Sequence, residues 1–207
     1  ANVKWQKPNF NQPLLGDSDD TDLRGMLTLA AVLFKDPVLK SRAFQKLDYE
    51  TLFLTGLNYG KSYDNIVSKK PNYLSVYQQS SGDLYMRSSW EKDATYTSFH
   101  LKKLGCGHGH DNIFHFTIFA NNQDYLVDGG RYTYVDNKWR EYFKSSLSHN
   151  TLGVDGLPNT EYSESWSNSF EARSQGIFVK SGNEFDYAEA ENTAYKRLEN
   201  PVSMKRR

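Results

Sequence analysis

The sequence predicts a mainly β protein of α+β type, an antiparallel β-sandwich preceded by a few α-helices. Three observations predict this class. Apolar residues recur at helical spacing in the first part of the chain, they alternate with polar residues from residue 73 onward, and short turn sequences separate the alternating runs. Strands joined by such short turns favour an antiparallel sandwich over a parallel sheet with crossover helices. We therefore predict a helical segment at residues 1–65 and a sandwich domain at residues 66–207.

The composition excludes several classes of function. The 207 residues include 25 basic and 25 acidic side chains, so no net charge would draw the chain to nucleic acid or to an anionic membrane. The longest apolar stretch near the start, Leu27 to Phe34, is too short to cross a bilayer. The single cysteine, Cys106, excludes an internal disulfide and a cysteine-rich zinc module. The many aromatic residues (14 Tyr, 12 Phe, 4 Trp) suit strands and surfaces that stack on sugars.

Three helices are predicted in the first part of the chain. The acidic stretch at residues 17–20 offers N-cap side chains for a helix over residues 20–34. Asp36 and Pro37 predict the cap and the first turn of a second, shorter helix, and residues 48–57 predict a third. These helices lie too close together to serve as crossovers between parallel strands, so we expect them to form a helical layer of their own.

Alternation of apolar and polar residues predicts the strands that follow. The predicted strands are residues 73–77, 84–87, 95–101, 113–119, 125–127, 151–154, 169–172, 176–180 and 186–191. Turn sequences at residues 80–83 and 121–123 join two pairs of these strands as hairpins. The chain contains no internal repeat and no low-complexity tract.

The densest group of reactive side chains lies between Gly105 and Thr151. His108 and His110 stand two apart in a glycine-rich loop, Asp128 follows in Leu-Val-Asp-Gly-Gly, and His149 lies in Leu-Ser-His-Asn-Thr. Imidazoles and a carboxylate gathered from distant positions are ordinary zinc ligands. Residues so spread along a sequence are also commonly isolated turn or surface residues, and the residue types by themselves leave both interpretations open.

Arginines and tyrosines near this group are further candidates. Arg131 and Arg140 could pair with a carboxylate or a sulfate, although a solvated surface position fits them equally. Tyr132, Tyr134 and Tyr142 could reach a cleft or could simply pack within the sandwich, and we select Tyr134 among them.

The remaining candidates are assigned structural roles. His115 shares the parity of Ile113 in the predicted strand, so we interpret it as a strand-face residue, and His100 is a lone strand histidine without a partner motif. Asn150 is expected to stabilise a turn. Cys106 could bind metal by type, but a small packed thiol is the role we expect.

Three linked motifs carry a resemblance to a known family. Gly-His-Gly-His-Asp-Asn-Ile-Phe-His-Phe, Leu-Val-Asp-Gly-Gly-Arg-Tyr-Thr-Tyr, and the stretch from Trp139 to Gly156 occur in this order. Together they resemble the heparinase II/III-like family of polysaccharide lyases, closely over about residues 84–157. Residues 16–19 resemble the end of that family's helical toroid, and residues 194–207 resemble a later strand of its sandwich.

The resemblance implies a fold and a set of site residues. In the family an incomplete α/α toroid packs on an antiparallel sandwich, with the active cleft between them, so residues 1–65 would be the end of the toroid. His108 matches the catalytic histidine, and His110, Asp128 and His149 match the ligands of a metal ion, usually zinc, that shapes the cleft. Because the motifs of the toroid's catalytic tyrosine are not found here, we expect a C-terminal fragment of a longer protein, with its sandwich truncated at the C-terminus.

The resemblance also implies the reaction, a β-elimination that cleaves an acidic, uronate-containing polysaccharide such as heparan sulfate, heparin or alginate. Removal of the C5 proton requires a base and a group that neutralises the adjacent carboxylate, and histidine suits either role. We assign His108 and Tyr134 as catalytic and Arg131 and Arg140 as substrate-binding. A polymeric substrate implies a periplasmic or secreted bacterial protein.

Two other functions stay open at this point. One is a non-catalytic carbohydrate-binding sandwich that holds a glycan without cleaving it. The other is a purely structural, metal-stabilised domain that serves a neighbouring catalytic domain. The sequence does not determine the identity of the polysaccharide, the choice between internal and terminal cleavage, or the oligomeric state.

Overall fold

The computed structural model describes residues 3–101 and 107–207. Its helices are α1 (Arg24–Phe34), α2 (Pro37–Ser41), α3 (Tyr49–Thr55), α4 (Leu57–Asp64) and α5 (Lys138–Lys144). Its strands are β1 (Val76–Gln78), β2 (Asp83–Arg87), β3 (Tyr96–His100), β4 (Phe116–Ala120), β5 (Gln123–Leu126), β6 (Glu161–Glu164), β7 (Ser167–Phe170), β8 (Ser174–Ser181), β9 (Asp186–Asn192) and β10 (Met204–Arg206). Single turns of 3-10 helix lie at Ser146–Ser148 and Ala194–Arg197.

Side-chain caps begin two of the four amino-terminal helices. The Asp36 carboxylate accepts the first free N–H groups of α2, as predicted, and the Asp48 carboxylate accepts the N–H of Thr51 in α3. The N-cap predicted for the first helix is wrong, because α1 begins only at Arg24 and its N-cap residue, Leu23, makes no side-chain cap. The acidic residue Asp17 is therefore free for another role. α4 ends at Asp64, and the division of the chain at residue 65 stays a prediction.

The strands form three antiparallel sheets. β1 to β5 pair in sequence order as a five-stranded meander, β8, β9 and β10 form a three-stranded sheet, and β6 and β7 form a separate hairpin. The strand predicted at residues 151–154 is wrong, since only an isolated bridge joins Val154 to Leu157. Conversely, α5 and β6 were not predicted. Asn137 caps α5 by accepting the N–H groups of Trp139 and Arg140.

The main core lies between the meander and the three-stranded sheet. Leu84, Phe99 and Phe114 on the meander side pack with Ala190 and Met204 from the other sheet. In β9 every second residue from Ala188 onward is buried, because alternate side chains of a strand point to opposite faces. Burial of these two inner faces against each other confirms the predicted fold class, a mainly antiparallel sandwich preceded by helices.

The helices bury one side and leave apolar residues on the other. In α1 the residues Leu27, Ala31 and Val32 are buried, whereas Phe53 of α3 and Leu57 of α4 are 90% and 79% exposed. None of the helices in the described ranges combines the length and the apolar character needed to cross a membrane.

Candidate active site

An exposed histidine lies in the connection between β3 and β4, next to two aromatic rings. His108 lies in the loop before β4, and its side chain is 67% exposed. Its ring meets Tyr134 edge-on at a centroid distance of 6.0 Å and Trp166, in the turn between β6 and β7, at 5.4 Å. The Tyr134 and Trp166 rings stack on each other 6.3 Å apart. An accessible imidazole therefore opens onto an aromatic surface.

A buried carboxylate holds this histidine from behind. Asp17 Oδ2 lies 2.8 Å from His108 Nδ1, and Asp17 Oδ1 lies 2.9 Å from His110 Nε2. The Arg140 guanidinium donates to both oxygens of the same carboxylate. Burial alone would raise the pKa of Asp17, but the hydrogen bonds from Arg140, His110 and His108 outweigh burial and hold the pKa well below its usual value. Asp17 is therefore an anion that accepts every one of these bonds.

A second carboxylate lies among buried imidazoles. One ligand atom from each of His115, Asp128 and His149 lies within 4.8 Å of the others. Asp128 Oδ2 is 3.1 Å from His115 Nε2 and 3.0 Å from His149 Nδ1, while Asp128 Oδ1 accepts the N–H of Gly130. Burial would raise the pKa of Asp128, but the contacts with the two imidazoles hold it well below its usual value. All three side chains are fully enclosed.

The chemistry of these buried atoms is compatible with a metal site. His110 Nδ1, Asp128 Oδ2 and both ring nitrogens of His149 are buried and lack a hydrogen bond of acceptable geometry among the described residues. The His110 ring lies next to that of His149, at a centroid distance of 5.4 Å. Buried polar atoms normally have partners, and two neutral imidazoles with a carboxylate form an ordinary zinc donor set. The residues present fit a metal ion.

The hydrogen-bond partners show which ring nitrogen of each histidine keeps a lone pair. His110 must donate from Nε2, since its partner is the Asp17 anion, and its Nδ1 keeps a lone pair. His115 accepts the N–H of Asn150 at Nδ1, so the neutral ring carries its proton on Nε2 and offers a metal nothing there. Burial lowers the pKa of both histidines to about 4, so both are neutral at pH 7. Hydrogen bonding thus favours His110 over His115, whereas the group of mutually close ligand atoms contains His115 and not the predicted ligand His110.

The strand-face position predicted for His115 is wrong, whereas His100 lies on β3 as predicted but has partners. Phe114 has a positive φ of 67°, so the chain turns there and β4 begins only at Phe116. The parity argument that placed His115 on a strand face therefore fails, and the residue lies beside Asp128. His100 is not a lone histidine, because its Nδ1 lies 2.8 Å from Asp83 and its ring stacks on His115.

The predicted substrate-binding arginines differ from each other. Arg140 is fully buried, with its guanidinium bound to Asp17, so its prediction as a substrate-binding or solvated residue is corrected. Arg131 is partly exposed; it donates to Asp19 and to the backbone carbonyl of Asp17, and its guanidinium lies over the Tyr134 ring. Tyr134 itself is 47% exposed beside His108.

The other predicted residues are also placed. The side chain of Asn150 donates to the carbonyls of Phe116 and Val127 and so joins β4 to the end of β5. Tyr132 stacks on Phe143 and Tyr142 meets Phe143 edge-on, which fits packing roles.

The predictions for Cys106 and Gly105 lie outside the described residues.

Sequence reasoning missed three residues of the site. Asp17 was assigned to a helix cap, and Trp166 and Lys144 were not singled out. Lys144 is buried and donates to the carbonyls of Gly107 and Ser165, which joins the histidine loop to the turn that carries Trp166. A lone tryptophan in a polar stretch, Ser-Glu-Ser-Trp-Ser-Asn-Ser, was the available signal for an exposed functional ring.

The site falls largely within a region that matches a known family. The model of the family described as heparinase II/III-like, C-terminal, matches residues 82–207. These residues include the whole site except the Gly16–Asp19 segment. The chain belongs to the heparinase II/III-like family. The resemblance drawn from the three motifs is thus confirmed, and Asp17 reaches the family domain from outside the matched residues.

Similar proteins match more than nine tenths of this chain. It is 24% identical over 208 residues to a heparin-sulfate lyase of Pedobacter heparinus, which covers 99% of this chain and 28% of that protein. A crystal structure of a heparan sulfate lyase from Pedobacter heparinus matches with a TM-score of 0.70 and 21% identity, over 93% of this chain and 27% of that one. A heparinase III matches with a TM-score of 0.69 and 20% identity, over 94% and 27%. The chain therefore spans little more than a quarter of these relatives.

Proposed function

We propose that this chain is part of a polysaccharide lyase that cleaves a sulfated, uronate-containing polysaccharide by β-elimination. Membership of the heparinase II/III-like family and similarity to a protein named heparin-sulfate lyase support the reaction class and a substrate of the heparan sulfate type. The observation that carries the proposal is the exposed His108 imidazole facing Tyr134, beside a buried cluster of imidazoles and a carboxylate. His108 supplies a base, Tyr134 supplies a hydroxyl group, and the buried cluster lies beside the loop that carries His108.

The two exposed groups have complementary roles in the elimination. His108 removes the C5 proton of the uronate, and the electrons of that C–H bond form the C4–C5 double bond as the C4–O bond breaks. The Tyr134 hydroxyl donates a proton to the departing glycosidic oxygen. Neutralisation of the uronate carboxylate, which the reaction needs for acidity at C5, requires a cation or donor near the site. Arg131, which is partly exposed over the Tyr134 ring and paired with Asp19, is a cation that could take this role.

The aromatic surface suits a sugar chain. Tyr134 and Trp166 stack on each other with about half of each side chain exposed, at 47% and 51%. Pyranose rings present apolar faces to such rings, while their sulfates and carboxylates remain free for guanidinium groups. A chain bound across these rings would pass directly over His108, which lies against both of them.

A divalent metal ion, most simply zinc, belongs to this proposal. His110, Asp128 and His149 would hold it, and His115 would lie against the Asp128 carboxylate without binding the metal. When bound, the ion would fix the positions of three side chains that come from separate parts of the chain, a structural contribution to the loop that carries His108. His108 itself lies outside this set and remains available to substrate.

We place the enzyme in the periplasm or outside the cell. A heparan-type polymer is too large and too charged to enter a bacterial cytoplasm unaided, so the first cleavage has to occur beyond the inner membrane.

Turnover by the full-length protein tests the proposal. Ultraviolet absorbance of the unsaturated uronate product is followed on heparan sulfate, heparin and alginate, with heparan sulfate expected to react. His108→Ala is expected to lower kcat at least about 100-fold, as loss of a general base does. Tyr134→Phe should lower kcat about 10-fold or more, and Tyr125→Phe, an exposed tyrosine on β5, serves as the unchanged control.

A carbohydrate-binding module without catalysis is the second candidate, because the exposed Tyr134–Trp166 stack would also hold a glycan. In that case heparan sulfate binds the full-length protein and Trp166→Ala weakens binding, yet no unsaturated product forms. Full activity in His108→Ala would remove the catalytic role proposed for that residue.

A further inference from the structure

Asp17 occupies a position that no motif of the family domain includes. It lies before α1, 91 residues before His108 and 93 before His110, yet its two carboxylate oxygens contact one ring nitrogen of each. Its side chain is only 4% exposed, and it is shared between an exposed imidazole and an enclosed one. Such a carboxylate controls both histidines at once.

We propose that Asp17 is a positioning residue for the lyase reaction, which holds His108 with Nδ1–H turned inward and the Nε2 lone pair turned toward the substrate. The inference rests on the proposed function, in which His108 is the base. Asp17 does not touch substrate; it acts through the ring that does. The same carboxylate leaves the lone pair of neutral His110 on Nδ1, in a ring that lies next to the His149 ring.

The count of donors and acceptors permits one arrangement. An ionised carboxylate only accepts hydrogen bonds, so His108 must donate from Nδ1 and His110 from Nε2, and Arg140 supplies two further donors. A neutral imidazole that donates from Nδ1 has its lone pair on Nε2. Nδ1 of His108 is bound to the buried Asp17, so Nε2 lies on the far side of a ring whose side chain is two-thirds exposed.

The backbone N–H and carbonyl groups of Asp17 are both hydrogen-bonded. Its N–H donates to the His108 carbonyl at 3.0 Å, and its own carbonyl accepts from Arg131. The preceding Gly16 has a φ of +56°, and a Cβ there would lie 2.4 Å from the His108 carbonyl oxygen. The two segments thus fit together only with glycine at this position. The buried Arg140 offsets the cost of enclosing the Asp17 charge.

The test compares Asp17→Asn with Asp17→Glu in the full-length protein acting on heparan sulfate. An asparagine has a single acceptor oxygen, and its NH2 group would face donors, so at least one imidazole must rotate or change tautomer. We expect Asp17→Asn to lower kcat about 100-fold with KM changed less than about threefold, as a misplaced base does. Asp17→Glu, which keeps the carboxylate, should recover about 10-fold of that loss. Asp20→Asn, an exposed residue of the same segment, is the matched control with unchanged kinetics.

A measurement independent of turnover reads the tautomer directly. In the full-length protein labelled with 15N-histidine, the His108 signal, assigned by its loss in His108→Gln, should report a protonated Nδ1 and a bare Nε2. That measurement needs no Asp17 variant, so it holds even if Asp17→Asn fails to fold. In a folded Asp17→Asn protein the signal should shift toward the other tautomer.

The outcomes separate this inference from the proposed function. If His108→Ala retains turnover, the proposed function fails and the role of Asp17 falls with it. If His108→Ala abolishes turnover while Asp17→Asn keeps it, only the inference is overturned. Protonation of wild-type His108 at Nε2 overturns the inference as well. So does an Asp17→Glu protein that is no more active than Asp17→Asn, if the loss of kcat in both variants parallels their loss of thermal stability.

Discussion

A neutral imidazole has one protonated nitrogen and one nitrogen with a lone pair, and only the second can bind a metal ion. Asp17 takes the Nε2–H of His110, and the Asn150 N–H occupies the Nδ1 lone pair of His115. Proximity alone would select His115, which lies 3.1 Å from Asp128 Oδ2. The tautomers reverse that choice, because a ligand histidine commonly donates its other N–H to a carboxylate, as His110 does here. Distance therefore favours His115 and hydrogen bonding favours His110, and the proposed ligand set follows the hydrogen bonding.

The two histidines can be separated by metal analysis. We expect full-length His110→Ala protein to lose its zinc on dialysis, because a ligand is missing. His115→Gln should retain zinc, with affinity reduced by no more than about 10–100-fold, as for a residue that only orients a ligand. Zinc per protein is measured after dialysis against a weak chelator, and His149→Ala serves as the control that must lose metal. Zinc retained by His110→Ala and lost by His115→Gln would reverse the assignment.

Site residues could be predicted from sequence where the neighbouring residues form a recognisable motif. His108, Asp128 and His149 each lie in a glycine- or turn-rich motif, so their types and surroundings identified them. Asp17 carried the opposite signal, because an acidic residue before an apolar helix is the pattern of an N-cap. Its actual partner lies 91 residues away, and no local pattern encodes that contact.

The segments that carry Asp17 and His108 are fitted to each other through one glycine. Gly16 adopts a φ of +56° and has the His108 carbonyl where a Cβ would stand, whereas Gly156 adopts a φ of +70° with open space around it. Alanine at either position costs about 1 kcal/mol of backbone strain. Only at position 16 does the added methyl group also push the histidine loop away.

Comparison of Gly16→Ala with Gly156→Ala isolates the effect of that contact. We expect Gly156→Ala to keep turnover on heparan sulfate and to lose only about 1 kcal/mol of unfolding free energy. Gly16→Ala should lose about 2–4 kcal/mol and at least about 10-fold in kcat, since a small displacement of a base has large kinetic effects. Denaturant unfolding and kinetics of the full-length variants provide the two measurements. Equal losses in both variants would show that the close approach at Gly16 has no functional consequence.

The sequence did not predict where β4 begins or that α5 forms. Alternation located most strands, because each buries one face, but it could not show that Phe114 turns the chain and delays β4 until Phe116. α5 was missed because its seven residues, Lys-Trp-Arg-Glu-Tyr-Phe-Lys, are mostly polar or aromatic, and their burial depends on Arg140 and Lys144 finding partners elsewhere. Such an element forms through tertiary contacts more than through propensity.

At the scale of the whole molecule, two buried arginines join the amino-terminal segment to the sandwich. Arg87 of β2 donates to the carbonyls of Lys4 and Gln6, and its guanidinium lies 3.8 Å from the centre of the Trp90 ring. Arg42 donates to the Gln6 side chain and to the carbonyls of Lys7 and Trp90. Burial lowers the pKa of each arginine to about 10, so both remain charged at pH 7. Sequence patterns predicted the helices and the sandwich but not this junction, whose contacts join residues up to 83 positions apart.

A double-mutant cycle tests whether the two arginines act as one junction. Arg42→Met and Arg87→Met each leave buried carbonyls without donors, so each should cost about 2–4 kcal/mol of unfolding free energy. The double variant should cost at least about 0.5 kcal/mol less than the sum, because the first substitution already releases the segment that the second arginine binds. Arg173→Met, at an exposed arginine, should change stability by less than about 0.5 kcal/mol.

The measurement is urea unfolding of the full-length variants together with hydrogen exchange of residues 3–12. Faster exchange confined to that segment in each single variant would show that the arginines hold it. Costs that add to within about 0.3 kcal/mol would mean that the two arginines act independently. Because Asp17 lies five residues after this segment, we expect the junction to affect how firmly the carboxylate behind His108 is held. Arg87→Met should therefore lower kcat more than Arg173→Met does, although Arg87 has no contact with His108 or Asp17 among its described hydrogen bonds.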